Sequence, residues 1–170
     1  MPFKSILNEY YAKDISKKIR SAKRTMALAE KHISGHPPFG YMLFPDNKYK
    51  LIIDEEEAAL VRRIFNMAVN GMGYYRISNT FYKEKIPTPA AYTFARTGRW
   101  HRGCDNARMC CWSLNAVRGI LSNPVCLGHM VNDRITAKSY KTKKLVVKLE
   151  SDWIIVQNTH EPLIDQKFFE

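Results

Sequence analysis

The clearest pattern of apolar and polar positions in the chain runs from Asp54 to Gly73. At 3.6 residues per turn, its apolar residues gather on one face of a helix and its polar residues gather on the other. Asp54 can accept a backbone N–H at the helix start, and Glu57 completes a capping-box-like pair three residues later. Asn70 and Gly71 are residue types that end helices in a left-handed conformation. The stretch therefore predicts an amphipathic helix between Asp54 and Gly71.

Two further helices are predicted to complete a small core. Residues 74–85 place Ile77 and Phe81 four positions apart, and this helix must stop before Pro87. Residues 112–122 again carry apolar side chains at helical spacing and are followed by Asn-Pro. Because two helices joined by a Gly-x-Gly turn cannot bury their apolar faces alone, we expect the third helix to pack on them. The pattern predicts a three-helix core.

Residues 2–32 predict one long helix, about 30 residues or roughly 45 Å in length. Because the apolar seam of this helix is narrow, we favour a projecting helix. Its first turns would contact a partner helix, and its later turns would contact phosphates. A solvated helix lying on the core is the alternative. Membrane-surface binding is less favoured, because the face lacks large apolar side chains. The seam includes Ile6, Tyr10, Ile15 and Ile19, and the basic positions beside it are Lys13, Lys17, Arg20 and Arg24.

Short strands are predicted around this helical core. Pro37 and Pro38 force an extended path and mark the clearest boundary in the chain. We expect one hairpin from residues 41–44 and 50–53, a strand at 125–131, and a second hairpin from 145–149 and 153–156. Asp165 can cap a last helix, of which only the first turn is present before Glu170. These elements predict an α+β fold in which a long N-terminal helix precedes a small helical, helix-turn-helix-like domain with short antiparallel strands.

The positive charge of the chain is concentrated in two regions. The formal net charge is +11. Residues 4–32 carry eight basic and three acidic side chains, and residues 86–149 carry eleven and two. Residues 33–85 are close to neutral, and residues 150–170 are acidic. Since a polyanion that touches both basic regions is the natural partner, the distribution favours nucleic acid. The alternative is that the charge only keeps the domain soluble.

Residues 87–111 are expected to form a long irregular segment with a binding role. A loop of about 25 residues inside a compact domain is often functional. Its arginines alternate with aromatic residues, which suits contact with phosphates and base edges. A disordered solvated loop is the alternative. Residues 134–144 are expected to be a mobile basic loop. The candidate DNA contacts in these two segments are Arg96, Arg99, Arg102, Arg108, Lys138, Lys141 and Lys143.

Catalytic, metal and cofactor chemistry finds little support in the sequence. A metal site from His101, Cys104, Cys110 and Cys111 would have the spacing H-x2-C-x5-C-C, which matches no common zinc pattern. We therefore expect no metal and no cofactor. No nucleotide-binding glycine motif or nucleophile elbow is present. Adjacent cysteines argue for reduced thiols, and no apolar run approaches 18 residues, so we expect a cytoplasmic protein that does not bind membranes.

Several short motifs occur in an order that resembles the large serine recombinases, the integrases and transposases of phages and mobile elements. Residues 8–20 resemble the end of the long helix that leaves their catalytic domain. Pro38-Phe39-Gly40-Tyr41 is similar to the P-x-G-Y that opens their recombinase domain, and residues 56–65 with Gly71 resemble its E-A-x-x-V-x-x-I-F helix. Cys126 departs from the pattern, because an aromatic residue is frequent there. The other motifs are Ile86-Pro87-Thr88-Pro89, 120–128, 153–160 and 164–169.

The resemblance implies a division of the chain and a role for it. Residues 1–34 would be the C-terminal part of the long helix, 35–41 an extended linker, and 42–170 the DNA-binding recombinase domain. The nucleophilic serine of such an enzyme would lie in a preceding resolvase-like domain, so no residue here inherits a catalytic role. A zinc ribbon and coiled coil would follow. The partner implied is double-stranded attachment-site or element-end DNA, with self-association of the full-length recombinase and binding at the bacterial nucleoid.

Two other functions stay open at this point. The chain could be a helical oligomerisation module whose long helix pairs with another protein through its apolar seam. It could also be a stand-alone transcription regulator with a helix-turn-helix. Under the recombinase interpretation, we expect the long helix to cross the minor groove and the helical domain to occupy an adjacent major groove.

Overall fold

The computed structural model describes residues 2–34, 36–99, 105–137, 142 and 144–169. This part of the chain contains helices and short antiparallel strand pairs, as the predicted α+β class requires. The α-helices are α1 (Pro2–Leu28), α2 (Glu55–Val69), α3 (Tyr74–Lys83), α4 (Pro89–Thr97) and α5 (Leu114–Leu121). The strands are β1 (Tyr41–Phe44), β2 (Asn47–Ile53), β3 (Met130–Asn132), β4 (Ile135–Ala137), β5 (Leu145–Val147) and β6 (Ile154–Val156).

The chain forms two compact units, neither of which is continuous in sequence. The α1 unit comprises Met1–Pro37, Leu43–Ile52 and Gly128–Pro162. The helical unit comprises Pro38–Met42, Ile53–Leu127 and Leu163–Glu170. The division predicted from the sequence, into residues 1–34, 35–41 and 42–170, uses continuous segments. It stays a prediction.

The core of the helical unit is built from α2, α3 and α5. Ile64, Ile77 and Phe81 are fully buried, and Trp112 closes the cluster with its ring centroid 5.0 Å from that of Phe81. The Trp112 indole N–H donates to the carbonyl of Ile86 at 3.0 Å, so its polar group is satisfied. The predicted three-helix core is confirmed.

The start and end of α2 follow the expected chemistry with one exception. Asp54 Oδ1 accepts the N–H of Glu57 at 3.3 Å, and Gly71 adopts a left-handed φ of +80°. The expected return bond of a capping box is absent, because the Asp54 N–H donates to the carbonyl of Gly40 at 3.1 Å. The carboxylate of Glu57 instead accepts the N–H of Gly40 at 2.9 Å. The prediction of a capping-box pair is therefore wrong.

Residues 87–111 contain a helix, contrary to the expected irregular segment. The hydroxyl of Thr88 accepts the N–H of Ala91 at 3.3 Å, and Pro89 occupies the first turn of α4. Proline suits this position, because the first helical N–H groups have no partner within the helix. Gly98 ends α4 at a φ of +67°. Pro89 starts this helix rather than preventing it.

The strand pairing of the α1 unit also differs from the prediction. β3 pairs with β6 and β4 pairs with β5, both antiparallel, so residues 145–149 and 153–156 do not form a hairpin together. Between the pairs, Lys148 forms an ion pair with Asp133 at 2.5 Å. The Trp153 indole N–H donates to the carbonyl of Lys148 at 3.1 Å, and Arg134 lies 4.6 Å from the Trp153 ring centroid. These contacts join the β3–β6 pair to the β4–β5 pair.

Three predicted element limits need correction. α1 ends at Leu28 rather than at residue 32, because Glu30 adopts a left-handed φ of 58°. The predicted strand 125–131 is a 3₁₀ turn, Pro124–Leu127, followed by β3, since Asn123 Oδ1 accepts the N–H of Val125 at 3.3 Å. The last helix is a 3₁₀ turn, Gln166–Phe168, without a side-chain cap from Asp165.

Candidate nucleic-acid interface

One face of α1 carries four of the predicted DNA-binding residues. Their spacings of four, three and four place them in a single row along the helix. All four side chains are exposed to solvent. The structure therefore brings this predicted set together as a basic row on a helix about 40 Å long. Its members are Lys13, Lys17, Arg20 and Arg24.

Much of this charge has no acidic partner. Among the side chains that the structure describes, no carboxylate lies within 4.0 Å of Lys13, Lys17 or Arg24. The Arg20 guanidinium donates to the hydroxyl of Ser16 at 2.9 Å, which orients it without neutralising it. An uncompensated row of cations on one helix face is suited to a run of phosphates.

The apolar seam of α1 is exposed through the middle of the helix. Tyr10, Ile15 and Ile19 keep 68%, 55% and 52% of their surface, whereas Ala27 near the helix end keeps only 1%. Ile15 and Ile19 line an open groove of about 900 Å³ between α1 and the β4–β5 pair. Arg20 also lines this groove. Within its own unit, α1 is therefore packed mainly near its C-terminal end.

Arg96 has a partner inside the helical unit. Its guanidinium forms an ion pair with Glu57, whose side chain is only 1% exposed. Burial raises the pKa of Glu57, while the Gly40 N–H and Arg96 act in the opposite direction. The pair joins α4 to the first turn of α2 and to the segment that holds Gly40. No local sequence pattern indicates this pairing, because the partners are 39 residues apart.

Of the remaining residues that were predicted to contact DNA, the structure describes two. Arg99 and Arg108 are exposed, and Arg108 lies in a 3₁₀ turn capped by Asp105. Their binding role stays a prediction. Arg102, Lys138, Lys141 and Lys143 lie outside the residues that the structure describes.

The outer face of α3 is a candidate surface that the sequence reasoning missed. Tyr74, Tyr75 and Tyr82 keep 47%, 70% and 55% of their surface, and Arg76 is also exposed. By helical spacing, Tyr75, Arg76 and Tyr82 face away from the buried Ile77 and Phe81, whereas Tyr74 stands at the start of α3 on the same side as the core residues. The helical spacing of Tyr75, Arg76 and Tyr82 in the sequence indicates this face once aromatic and polar positions are followed as well as aliphatic ones.

The described residues provide no arrangement for metal chemistry. In ranges 2–34, 36–99, 105–137 and 144–169, no group of three His, Cys, Asp or Glu side chains could hold a metal ion. Cys110 donates its thiol to the carbonyl of Lys85 at 3.1 Å, and burial raises the pKa of Cys126 to about 12. His101 and Cys104 of the alternative metal site lie outside the described residues. None of the described helices has an apolar run long enough to cross a bilayer.

Comparisons with known proteins give one family match and two structural matches. The sequence model of the Recombinase family matches residues 55–170. A chain from the crystal structure of an LSR–DNA complex aligns at a TM-score of 0.53 and 17% identity, over 90% of this chain and 36% of that one. A chain from work on the sequence requirements of the Listeria innocua prophage attP site aligns at a TM-score of 0.45 and 19% identity, over 89% of this chain and 48% of that one. The present chain therefore spans less than half the length of either solved chain. The first likeness shows a common fold.

Proposed function

The chain belongs to the Recombinase family, and from that premise we propose that it is the DNA-binding part of a large serine recombinase. Its role is to bind the double-stranded DNA of an attachment site or element end and to position it for strand exchange. The catalytic serine belongs to another part of the parent protein, which self-associates. Such a protein works in the bacterial cytoplasm, at the nucleoid when bound.

The basic row of α1 is the observation that carries this proposal. Four exposed cations follow one helix face, and none of them has a carboxylate within 4.0 Å among the described side chains. Phosphate contacts of this kind fix the register of a protein on a duplex without reading sequence. We assign this role to Lys17, Arg20 and Arg24, with α1 lying across the minor groove.

The solved structure of the LSR–DNA complex supports the choice of partner. That structure contains a protein bound to DNA, and the fold of the protein aligns with 90% of this chain. Because the match covers only 36% of that chain, the strand-exchange activity is proposed for the parent protein and not for this part alone.

We propose that α2 and α3 act as a helix-turn-helix, with α3 in the major groove. The two helices are joined by a turn at residues 70–73, and α3 exposes Tyr75 and Arg76. Tyrosine and arginine can stack on or hydrogen-bond to base edges, and arginine can pair bidentately with guanine. We therefore assign contacts with base edges to α3 and to the exposed Arg99. Arg96 is not included, because it forms an ion pair with Glu57.

Binding to element-end and scrambled duplexes tests these roles. We expect Arg20→Ala to weaken binding to both duplexes, because its contact is with phosphate. Arg76→Ala should reduce the ratio between the two affinities, at a cost of about 1–3 kcal/mol on the cognate site. Lys167→Ala, an exposed lysine outside both surfaces, is the matched control and should change neither affinity. Equal losses on both duplexes for the two arginine variants would contradict the division into positioning and reading.

An oligomerisation module is the second candidate, and the exposed seam of α1 favours it. Tyr10, Ile15 and Ile19 are more than half exposed, as a helix that pairs with another helix would have them. Light scattering on the chain with and without residues 1–32 separates the two functions. A dimer that is lost on truncation, together with no affinity for DNA, would support the second candidate.

A further inference from the structure

A group of lysines lies where the segment after α1 meets the β1–β2 hairpin. The Nζ atoms of Lys31 and Lys48 lie 5.3 and 5.4 Å from the ring centroid of Tyr49. The Nζ of Lys50 lies 5.9 Å from the ring centroid of Phe44. We call Lys31, Lys48 and Lys50 the hairpin lysine cluster. All its members belong to the α1 unit.

The backbone beneath the cluster is fixed by hydrogen bonds. The N–H of His32 donates to the carbonyl of Tyr49 at 2.9 Å, which joins the end of the helical segment to the hairpin. The N–H of Lys31 donates to the carbonyl of Met26 at 3.1 Å, and that of Tyr49 donates to Asn47 Oδ1 at 3.0 Å. His32 itself is buried. The lysines therefore project from an ordered frame and not from a loose loop.

The cluster concentrates positive charge that its surroundings do not neutralise. Lys31 and Lys48 share one ring, so their ammonium groups are at most about 11 Å apart, close to the screening length in about 0.1 M salt. Among the described side chains, no carboxylate lies within 4.0 Å of any of the three lysines. The ring of Tyr49 attracts both cations but carries no net charge. An anion placed between them would relieve their repulsion.

The size of the cluster suits a polyanion better than a single small anion. A DNA duplex presents one negative charge per about 1.7 Å of its axis, so ammonium groups that lie up to about 11 Å apart can meet different phosphates of one duplex. The cluster also follows the basic row of α1 closely in the chain, since Lys31 comes seven residues after Arg24. The net charge of the segment gave no sign of Lys48 and Lys50, because residues 33–85 carry seven basic and six acidic side chains.

We propose that the hairpin lysine cluster is a second phosphate-binding site, which holds the sugar–phosphate backbone of duplex DNA. This inference rests on the proposed function, because it names the same partner, but it adds a surface that the α1 row does not include. The cluster positions the duplex and reads no sequence, since lysine acts on phosphate as a point charge. Tyr49 is a positioning residue that gathers two of the ammonium groups.

The salt dependence of DNA binding tests the cluster directly. The observed association constant of the 170-residue chain for one duplex is measured from about 50 to 300 mM salt by fluorescence anisotropy. Each lost phosphate contact should lower the magnitude of the log–log slope by about 0.9. We expect Lys31→Gln/Lys48→Gln/Lys50→Gln to lower it by about 2–3, equally on cognate and scrambled duplexes. Lys167→Gln is the exposed-lysine control and should leave the slope unchanged.

Two further variants keep the test decisive. Tyr49→Leu removes the shared ring and keeps all three charges, so its slope should fall by less than that of the triple variant. Lys17→Gln/Arg20→Gln/Arg24→Gln reports on the α1 row alone. Circular dichroism melts show whether each variant is folded.

Each outcome has a distinct meaning. An unchanged slope for the folded triple variant, with a reduced slope for the α1-row variant, overturns the cluster and leaves the proposed function standing. No DNA binding by the unaltered chain at about 50 mM salt overturns both. If the triple variant loses binding to phosphatidylserine vesicles but keeps its DNA slope, the partner is a membrane surface and the proposal is wrong.

Discussion

Replacing Gly40 with alanine probes the point where three parts of the helical unit meet. Gly40 has a φ of +96°, a conformation that residues with a Cβ rarely adopt. A Cβ atom there would lie 2.6 Å from Leu163 Cδ1 and 3.2 Å from Val61 Cγ2. Leu163 and Val61 are buried, so neither side chain can move into solvent.

The expected cost is the sum of backbone strain and overpacking. The left-handed conformation costs a residue with a Cβ about 1–2 kcal/mol. Forcing an extra methyl group into a packed core costs about 1–3 kcal/mol, and the flexible end of Leu163 places this site toward the lower part of that range. We therefore expect Gly40→Ala to lower the free energy of unfolding by about 2–4 kcal/mol.

Two other glycines of the same unit are matched controls. Gly71 has a φ of +80° with no atom within 4 Å of an added Cβ, so Gly71→Ala should cost only the strain, about 1–2 kcal/mol. Gly119 lies inside α5 with no positive φ and no close atom, so Gly119→Ala should stabilise by about 0.5–1 kcal/mol. Urea unfolding, followed by circular dichroism, measures all three. Equal costs for Gly40→Ala and Gly71→Ala would refute the close packing argued for Gly40.

Three other changes have defined outcomes. Glu57→Ala removes the acceptor of the Gly40 N–H and the counter-ion of Arg96, so it should lower the free energy of unfolding, measured in urea, by about 2–4 kcal/mol. Glu57→Gln should lower it by less. Burial lowers the pKa of His32, so the unfolded chain binds its proton first and stability falls as the pH drops below 6.5. Unfolding at pH values of about 7.5 and 5.5 should show this loss, and His32→Gln should reduce it. Ser113→Ala removes the cap on the Ala116 N–H and should cost about 1 kcal/mol, with a thermal melt as the measurement; no change in the melt would contradict the cap.

The parts of the fold that the sequence predicts are those set by neighbouring residues. The helical spacing of Ile64 with its neighbours, and of Ile77 with Phe81, is enough to identify the buried faces of α2 and α3. Asp54 starts α2 and Gly71 ends it through bonds to residues three or four positions away. The resemblance to large serine recombinases is confirmed at the level of the family.

The parts that the sequence did not predict depend on residues far apart in the chain. The pairing of β3 with β6 joins residues more than twenty positions apart, and three-residue strands carry too little periodicity to choose a partner. Arg96 was predicted to contact DNA because it is basic and lies near aromatic residues, but its pairing with Glu57 depends on where α4 packs. Pro89 was misleading for a different reason, since proline both breaks and starts helices.

We propose that this chain binds duplex DNA through its basic surfaces and reads sequence with its helical unit. The most direct test is a titration of the chain with element-end DNA and with a scrambled duplex across a salt series. We predict a steep salt dependence on both and tighter binding to the element end. Steep but equal binding would contradict sequence reading by this part of the protein, and no binding at low salt would contradict the whole account.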